Sequence, residues 1–501
     1  MPRRLFALLL ILTAIYRFSL LGRGALAFVD ETFYFTSVKA LQSLSAGDVR
    51  AAISDISMSR GRNGGAIIQM PVAALQAIPA YFGVPASNLR SLLIPTACNV
   101  IVTLVSLFLV FRIGVILSGD ENAALAGATA YAFLVNSNVY LRHLLPYDWA
   151  LSVGLIALWL SLTRPRTNVL AVMTGALTGV VLTIYTGYYS LCGVLGVAIL
   201  WQTWESAASR RAAVRFAVLF ALSSAAVVLA MELLFRAGGL SYIVSLRGVR
   251  RDIVFTSYDD GWVFLANYLL DVERSSGVVL VLGSFVYAWQ LALRIRRGVL
   301  RPIDRLMLPA LVAWALQATS SIHLNAIPLF GRLIHPWMPF LVWMLADALT
   351  YARERQRRNA YAGVLAAVAI SWAATAWQYV PLQYPPDVLY AMGIDTTKLP
   401  PDRKLCELYP GTSYASPGPI NRGTNAPYTG DTRYVLLNFC QALPEVPRPR
   451  EHATIPANAT RLFDGPHWMS LPAYAYEGLI KADREAMRRE NYRLQVYRLS
   501  R

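Results

Sequence analysis

Residues 92–117 read LLIPTACNVIVTLVSLFLVFRIGVIL, an apolar run carrying a single charge at Arg112. A helix crosses the roughly 30 Å hydrocarbon core of a bilayer with about 20 apolar residues, and this run exceeds that length. Composition extends the reading to the whole chain: of 501 residues, 56% are hydrophobic and 15% charged, with a mean hydropathy of +0.43. That is more apolar material than a soluble core of this size requires, so the sequence describes an integral membrane protein.

Working outward, runs of similar character recur at 5–21, 123–140, 149–162, 169–185, 188–204, 216–235, 277–293, 306–320, 328–349 and 361–377. With 92–117 they predict an all-α polytopic membrane protein of about eleven transmembrane helices, some short enough to need interfacial or irregular ends. The first run follows Pro2-Arg3-Arg4 and resembles a signal peptide. It lacks a convincing small-residue cleavage site, so it reads as a retained anchor with a cytoplasmic N-terminus. Arg17, near its outer end, is expected to snorkel to the interface.

Residues 24–88 are amphipathic rather than continuously apolar. Phe35, Val38, Leu41 and Leu44 recur at helical spacing, as in a helix lying in the interface plane. Residues 64–82 are apolar enough nearly to span. A crossing there would exchange the sides of every later Arg-rich loop, so the segment is placed on the outer surface.

The net charge is +17, and only four of the 46 cationic side chains are Lys (Lys39, Lys398, Lys404 and Lys481). In a soluble chain that balance points to nucleic acid. Here the Arg residues cluster in short loops between apolar runs, as topology signals do, which argues against nucleic acid as a partner. Arg164 and Arg166, then Arg210, Arg211 and Arg215, then Arg294, Arg296, Arg297, Arg301 and Arg305, and finally Arg353, Arg355, Arg357 and Arg358 all fall on one side. The positive-inside rule makes that side the cytoplasm of a multi-pass cytoplasmic (inner) membrane protein. Long insertions at 24–88 and 238–276 lie opposite, and the odd number of spans puts the C-terminus there too.

Residues 1–380 therefore form the membrane domain. Residues 381–501, rich in Pro, Tyr and polar side chains, suffice for a small extracytoplasmic α+β domain. Cys406 and Cys440 within it can pair in an oxidising compartment, whereas Cys98 and Cys192 read as ordinary core thiols within spans.

Two acidic features lie on the predicted outer face. Asp30-Glu31-Thr32-Phe33-Tyr34 follows the first run, where partial desolvation makes a carboxylate a better proton acceptor; Asp30 is the leading candidate general base. Arg142-His143-Leu144-Leu145-Pro146-Tyr147-Asp148-Trp149 opens the run at 149–162. An Asp in a first helical turn also serves simply to complement the dipole. Two carboxylates on separate segments can instead converge at one depth, one accepting a proton while the other orients the acceptor or binds a metal. Cations gather on the same face at Arg60, Arg62, Arg90, Arg247, Arg250 and Arg251. Arg332 and His335 open a later helix, where backbone N–H groups also favour an anion. Tyr258-Asp259-Asp260-Gly261 reads most simply as a turn, with contact to acceptor or metal the alternative. Glu232 and Arg236, four apart, are expected to pair.

This arrangement resembles the GT-C superfamily of polyprenyl-phosphate-sugar glycosyltransferases, which includes protein O-mannosyltransferases and lipid A aminoarabinose transferases. The resemblance is carried by residues 30–34, by Asn88-Leu89-Arg90-Ser91-Leu92, and by Pro146-Tyr147-Asp148-Trp149-Ala150-Leu151. Gly175-Ala176-Leu177-Thr178-Gly179, Gly331-Arg332-Leu333-Ile334-His335-Pro336 and Pro339 complete it, within residues 1–350. It implies a hexosyl- or pentosyltransferase that inverts the sugar as it passes from a polyprenyl-phosphate donor to a lipid, glycan or protein hydroxyl. Asp30 would then be the base, Glu31 its neighbour and Asp148 the second acid. Arg90, Arg332, His335, Arg60, Arg62 and Arg247 would serve the donor phosphate, and Tyr34, Tyr147, His143 and Asp259 the acceptor or substrate pocket. No cofactor is implied with certainty; a divalent cation held by Asp30 and Asp148 stays open. The sequence departs from the pattern at Thr183-Ile184-Tyr185-Thr186, where many relatives carry a Lys. Two other readings stand beside this one: a transporter or flippase of lipid-linked saccharides, and a glycan ligase using a lipid-diphosphate donor. Transporters place ionisable or broken-helix sites near mid-membrane, whereas the acids here sit at one interface, which favours the enzyme.

Overall fold

The computed structural model describes residues 2–21, 38–56, 66–84, 89–141, 143, 145–244, 261–324, 331–352 and 354–379, together with short segments at 420–421, 434–437, 457–467 and 493–499. The N-terminal part is helical, in chain order α1 (Pro2–Phe18), α2 (Val38–Ser45), α3 (Val49–Ile56), α4 (Ala66–Tyr81), α5 (Leu93–Ser118), α6 (Glu121–Phe133) and α7 (Val135–Val139). It continues through α8 (Tyr147–Thr163), α9 (Asn168–Ile184), α10 (Tyr189–Ser206), α11 (Arg210–Ala237), α12 (Phe264–Val272), α13 (Arg274–Arg296) and α14 (Pro302–Leu324). Last come α15 (Gly331–Ile334), α16 (Met338–Thr350) and α17 (Glu354–Tyr379).

Among the described residues, five helices are long and apolar enough to cross a membrane: Leu93–Ser118, Arg210–Ala237, Arg274–Arg296, Gly331–Thr350 and Gln356–Ala376. Tyr147–Thr163 and Asn168–Ile184 are shorter apolar helices. The outward faces of α11 and α13 carry exposed Leu222, Leu229, Leu233, Phe285 and Trp289, a surface suited to lipid rather than water. The helix α16 is the axis of the bundle, buried along almost its whole length. Trp343 is 2% exposed and donates from Nε1 to the Val110 carbonyl at 2.9 Å, fastening α16 to α5. Small residues let neighbours close on this axis, as lipid-embedded packing favours. A Cβ on Gly127 would lie 2.8 Å from the Val342 carbonyl oxygen, so α6 and α16 meet backbone to backbone.

The run at 123–140 is not one helix. Leu134 is extended (φ −61°, ψ 140°), breaking it into α6 and α7. The Glu273 carboxylate caps the new N-terminus, accepting from the Val135 N–H at 2.7 Å and the Asn136 N–H at 2.8 Å. This turn carries Tyr140 toward the site described below.

Arg17 corrects the snorkelling expectation. It is fully buried, its Nε donating to Asn138 Oδ1 at 3.0 Å and its Nη2 to the Ala132 carbonyl at 3.4 Å. A polar pocket inside the bundle offers the guanidinium acceptors, so it points inward rather than to the interface. Glu232 and Arg236 pair as expected, at 2.6 Å.

Ion pairs gather the Arg-rich loops at one end. Arg3 meets Glu121 at 2.7 Å, Arg301 meets Asp347 at 2.6 Å, and Arg305 meets Glu205 at 2.6 Å. Arg357 approaches Asp120 at 3.4 Å, and Arg301 Nη2 donates to the Ser118 carbonyl at 3.0 Å. The opposite end holds the loops before α8, between α9 and α10, and around α15. In the C-terminal part, β1 (Ile420–Asn421), β2 (Tyr434–Leu437), β3 (Ala459–His467) and β4 (Arg493–Leu499) form a four-stranded sheet in the order β1-β2-β4-β3. Cys406 and Cys440 lie outside the described residues, as do any helices of the expected α+β tail.

Candidate functional site

Asp148 enters the bundle because the chain turns at Pro146 (φ −79°, ψ −4°), whose carbonyl accepts the first helical bond, from the Ala150 N–H at 3.0 Å. Asn99 fixes that turn from α5. Its Nδ2 donates to the His143 carbonyl at 2.7 Å, and its Oδ1 accepts from Trp149 Nε1 at 2.6 Å. Residues on both sides of Asp148 are thus held by one amide. The carboxylate is 2% exposed.

His335 arrives from a different part of the chain. The α15 turn tightens at His335–Trp337 before α16 begins, Pro336 being accommodated at a helix start. The imidazole is fully buried. Its Nε2 lies 3.3 Å from Asp148 Oδ1, at ion-pair distance but without hydrogen-bond alignment. On its other side Nδ1 and the Tyr188 hydroxyl share a 2.7 Å hydrogen bond. When Tyr188 donates to Nδ1, the ring proton sits on Nε2 and faces the carboxylate. Asp148 Oδ1 is buried with no hydrogen bond of its own, a state that stable carboxylates seldom keep.

Aromatic rings wall this pair. Tyr140 meets Tyr147 edge-on at 5.1 Å, Tyr147 meets Tyr185 at 4.8 Å, and Tyr185 meets Tyr188 at 5.1 Å. Tyr140 also stands edge-on to His335 at 5.5 Å. Arg332 sets its guanidinium 5.9 Å from the centre of the Tyr147 ring, where the π face attracts a cation. The site therefore combines a buried acid, an imidazole and a guanidinium within an apolar aromatic shell, which strengthens each electrostatic interaction inside it.

Of the residues singled out in the sequence, Asp148, His335, Arg332 and Tyr147 come together here. His143 is buried beside them, its backbone tied to Asn99. Arg90 falls on the 3₁₀ turn Leu89–Leu92. Asp30, Glu31, Tyr34, Arg60, Arg62, Arg247 and Asp259 lie outside the described residues. Among the described residues no group of three or more His, Cys, Asp or Glu side chains is placed to hold a metal ion. Sequence reading missed Tyr188 and Asn99. Asn99 had a signal, being an amide inside an apolar run. Tyr188 had none, since one Tyr among three at 185, 188 and 189 is indistinguishable by pattern.

No protein-family profile matches the chain, and no curated protein matches it. Among solved structures, the crystal structure of ArnT from Cupriavidus metallidurans in the apo state aligns with it at 14% sequence identity and a TM-score of 0.48, covering 78% of this chain and 68% of that chain.

Proposed function

We propose that the chain is an integral membrane glycosyltransferase of the GT-C type, moving a sugar from a polyprenyl-phosphate donor to an acceptor hydroxyl on the extracytoplasmic face. The observation that carries this reading is the buried Asp148–His335 pair beside Arg332, at the end of the bundle away from the Arg-paired loops. The positive-inside rule gives the Arg-rich end to the cytoplasm, which puts the site where lipid-linked rather than nucleotide-linked sugars are the available donors. The same reading includes eleven spans, the tail on the outer side and placement in the inner membrane.

In this reaction Asp30 takes the proton from the acceptor hydroxyl as its oxygen attacks the anomeric carbon. The bond from that carbon to the lipid-phosphate oxygen breaks on the opposite face, inverting the centre. Asp148 orients the acceptor. Arg332 and His335 stabilise the charge that grows on the departing phosphate, a preorganised contribution that water cannot match. A general base supplies roughly two to four orders of magnitude of the rate.

The test uses full-length protein in lipid nanodiscs with a radiolabelled polyprenyl-phosphate sugar and extracted cell-envelope lipids as acceptor. Transfer is expected from the wild type and is expected to be lost in Asp30→Asn and Asp148→Asn. Undiminished transfer in Asp148→Asn removes this site from the chemistry. Donor translocation without transfer would instead support a flippase.

A further inference from the structure

At the other end of α8, a second site is built without any of the groups above. Ser161 and Asp148 lie 13 positions apart on that helix, about 20 Å along its axis at 1.5 Å per residue. There the ends of α8 and α10 and the start of α11 border an open cleft of about 530 Å³, a volume that suits a small ligand or a headgroup. Arg164 and Arg166 line it, and no carboxylate does. Glu205, close by in sequence, is taken by Arg305 at 2.6 Å.

The polar atoms around this cavity are incompletely used. Arg166 Nη2 donates to Gln202 Oε1, behind the lining, at 2.9 Å, but among the described residues Arg166 Nη1 and Gln202 Nε2 are both buried with no hydrogen-bond partner. Gln202 is 9% exposed. Burial alone pulls the Arg166 guanidinium below its ordinary pKa. A loop Arg that served only as a topology signal would extend its nitrogens into water, where each finds an acceptor. The hydroxyls on the wall have the opposite character. Ser161, Thr203 and Ser206 each donate to a carbonyl of their own helix, at 2.7, 2.8 and 2.7 Å. Their oxygens are left to accept. The cavity therefore offers guanidinium donors from Arg164 and Arg166 and hydroxyl acceptors from Ser161, Thr203 and Ser206.

We propose that this cavity is a binding site for a phosphate ester whose polar substituent carries hydroxyl or ammonium donors, the phosphate held by Arg166 with Arg164 and the substituent by the wall hydroxyls. Two sources supply that chemistry, an anionic phospholipid headgroup and a soluble phosphate ester. The inference is independent of the transferase reading, since it uses neither Asp148 nor His335.

The test takes purified full-length protein in detergent and measures retained lipid by native mass spectrometry after incubation with equal amounts of phosphatidylglycerol and phosphatidylcholine. A parallel calorimetric titration uses glycerol 3-phosphate. Phosphatidylglycerol is expected to be retained, with occupancy falling about tenfold or more in Arg166→Gln, the loss of a charge-assisted hydrogen bond. Ala208→Trp places a bulky ring at an exposed position of the lining without altering charge, and is expected to reduce retention equally while melting like the wild type. Arg297→Gln, exposed but outside the cavity, is expected to leave retention unchanged. Calorimetric binding of glycerol 3-phosphate with the same dependence on Arg166 and Ala208 would assign the site to a soluble ester. The proposal is overturned if neither probe binds, or if folded Arg166→Gln and Ala208→Trp bind as the wild type does.

Discussion

Asp304 and Asp347 at one end of the bundle and Asp148 at the other are equally withdrawn from solvent, yet their surroundings differ in kind. Asp304 accepts from Arg294 at 2.7 Å, from the Tyr287 hydroxyl at 2.9 Å and from the Arg301 N–H at 2.8 Å. Asp347 accepts from Arg294 at 3.2 Å and from Arg301 at 2.6 Å. Two acids meet two guanidinium groups, and the cluster is neutral. Asp148 has, at ion-pair distance among the described residues, a single imidazole, that of His335, at 3.3 Å and out of line. Buried carboxylates that are saturated act as fasteners, whereas one with an unused oxygen is free to engage a ligand or a proton. On the proposed transferase reading, the contrast separates a saturated acid pair at the Arg-rich end from an acid with an unused oxygen at the other.

The contrast breaks most sharply under substitution of the acids themselves. Asp148→Asn preserves shape and, by misplacing the acceptor it orients, is expected to lower sugar transfer by about a hundredfold with little change in thermal unfolding. Asp347→Ala is expected to do the reverse. It strands Arg294 and Arg301 without one of their counter-charges, which costs about 3–5 kcal/mol when a buried pair is broken, read as a lowered unfolding midpoint in detergent. If Asp148→Asn unfolds the protein as readily as Asp347→Ala, Asp148 is a fastener too and the division fails. Glu273→Ala sharpens the comparison from a third position. It leaves the Val135 and Asn136 N–H groups buried and unpaired, at about 1–3 kcal/mol each, and releases the turn that carries Tyr140. Stability and transfer are expected to fall together in this variant.

How much of this was legible in the sequence depended on whether the cause was local. The apolar runs translate into helices because periodicity and length are properties of contiguous residues: 92–117 becomes Leu93–Ser118, and 169–185 becomes Asn168–Ile184. The break at Leu134 was not legible, because its cause is Glu273, a cap supplied from far along the chain. Arg17 misled for the same reason, as its acceptors on Asn138 and Ala132 come from another helix. Within the site, Asp148 and His335 stood out individually as ionisable groups at helix starts. Their adjacency needed the fold, since it joins helices separated by about half of the membrane domain. The Gly175 and Gly179 run is explained by packing: a Cβ on Gly175 would collide with the Phe220 carbonyl oxygen of α11. Its place among the motifs reflects close helix contact rather than chemistry.

The smallest effect is the most discriminating, because it acts on the site through His335 rather than through Asp148. Tyr188→Phe keeps the ring that packs against Tyr185 and removes only the hydroxyl that meets His335 Nδ1 at 2.7 Å. One hydrogen bond is worth about 0.5–1.5 kcal/mol, so transfer is expected to fall by up to about tenfold. The division of that loss carries the information. If Tyr188 fixes the ring so that Nε2 faces Asp148, the imidazole's aim matters most as charge develops, and kcat is expected to fall while KM for the lipid donor holds. A rise in KM with kcat unchanged would mean that the hydroxyl belongs to the binding surface. A lowered unfolding midpoint with both constants intact would return Tyr188, and His335 with it, to the class of buried groups that only hold helices together.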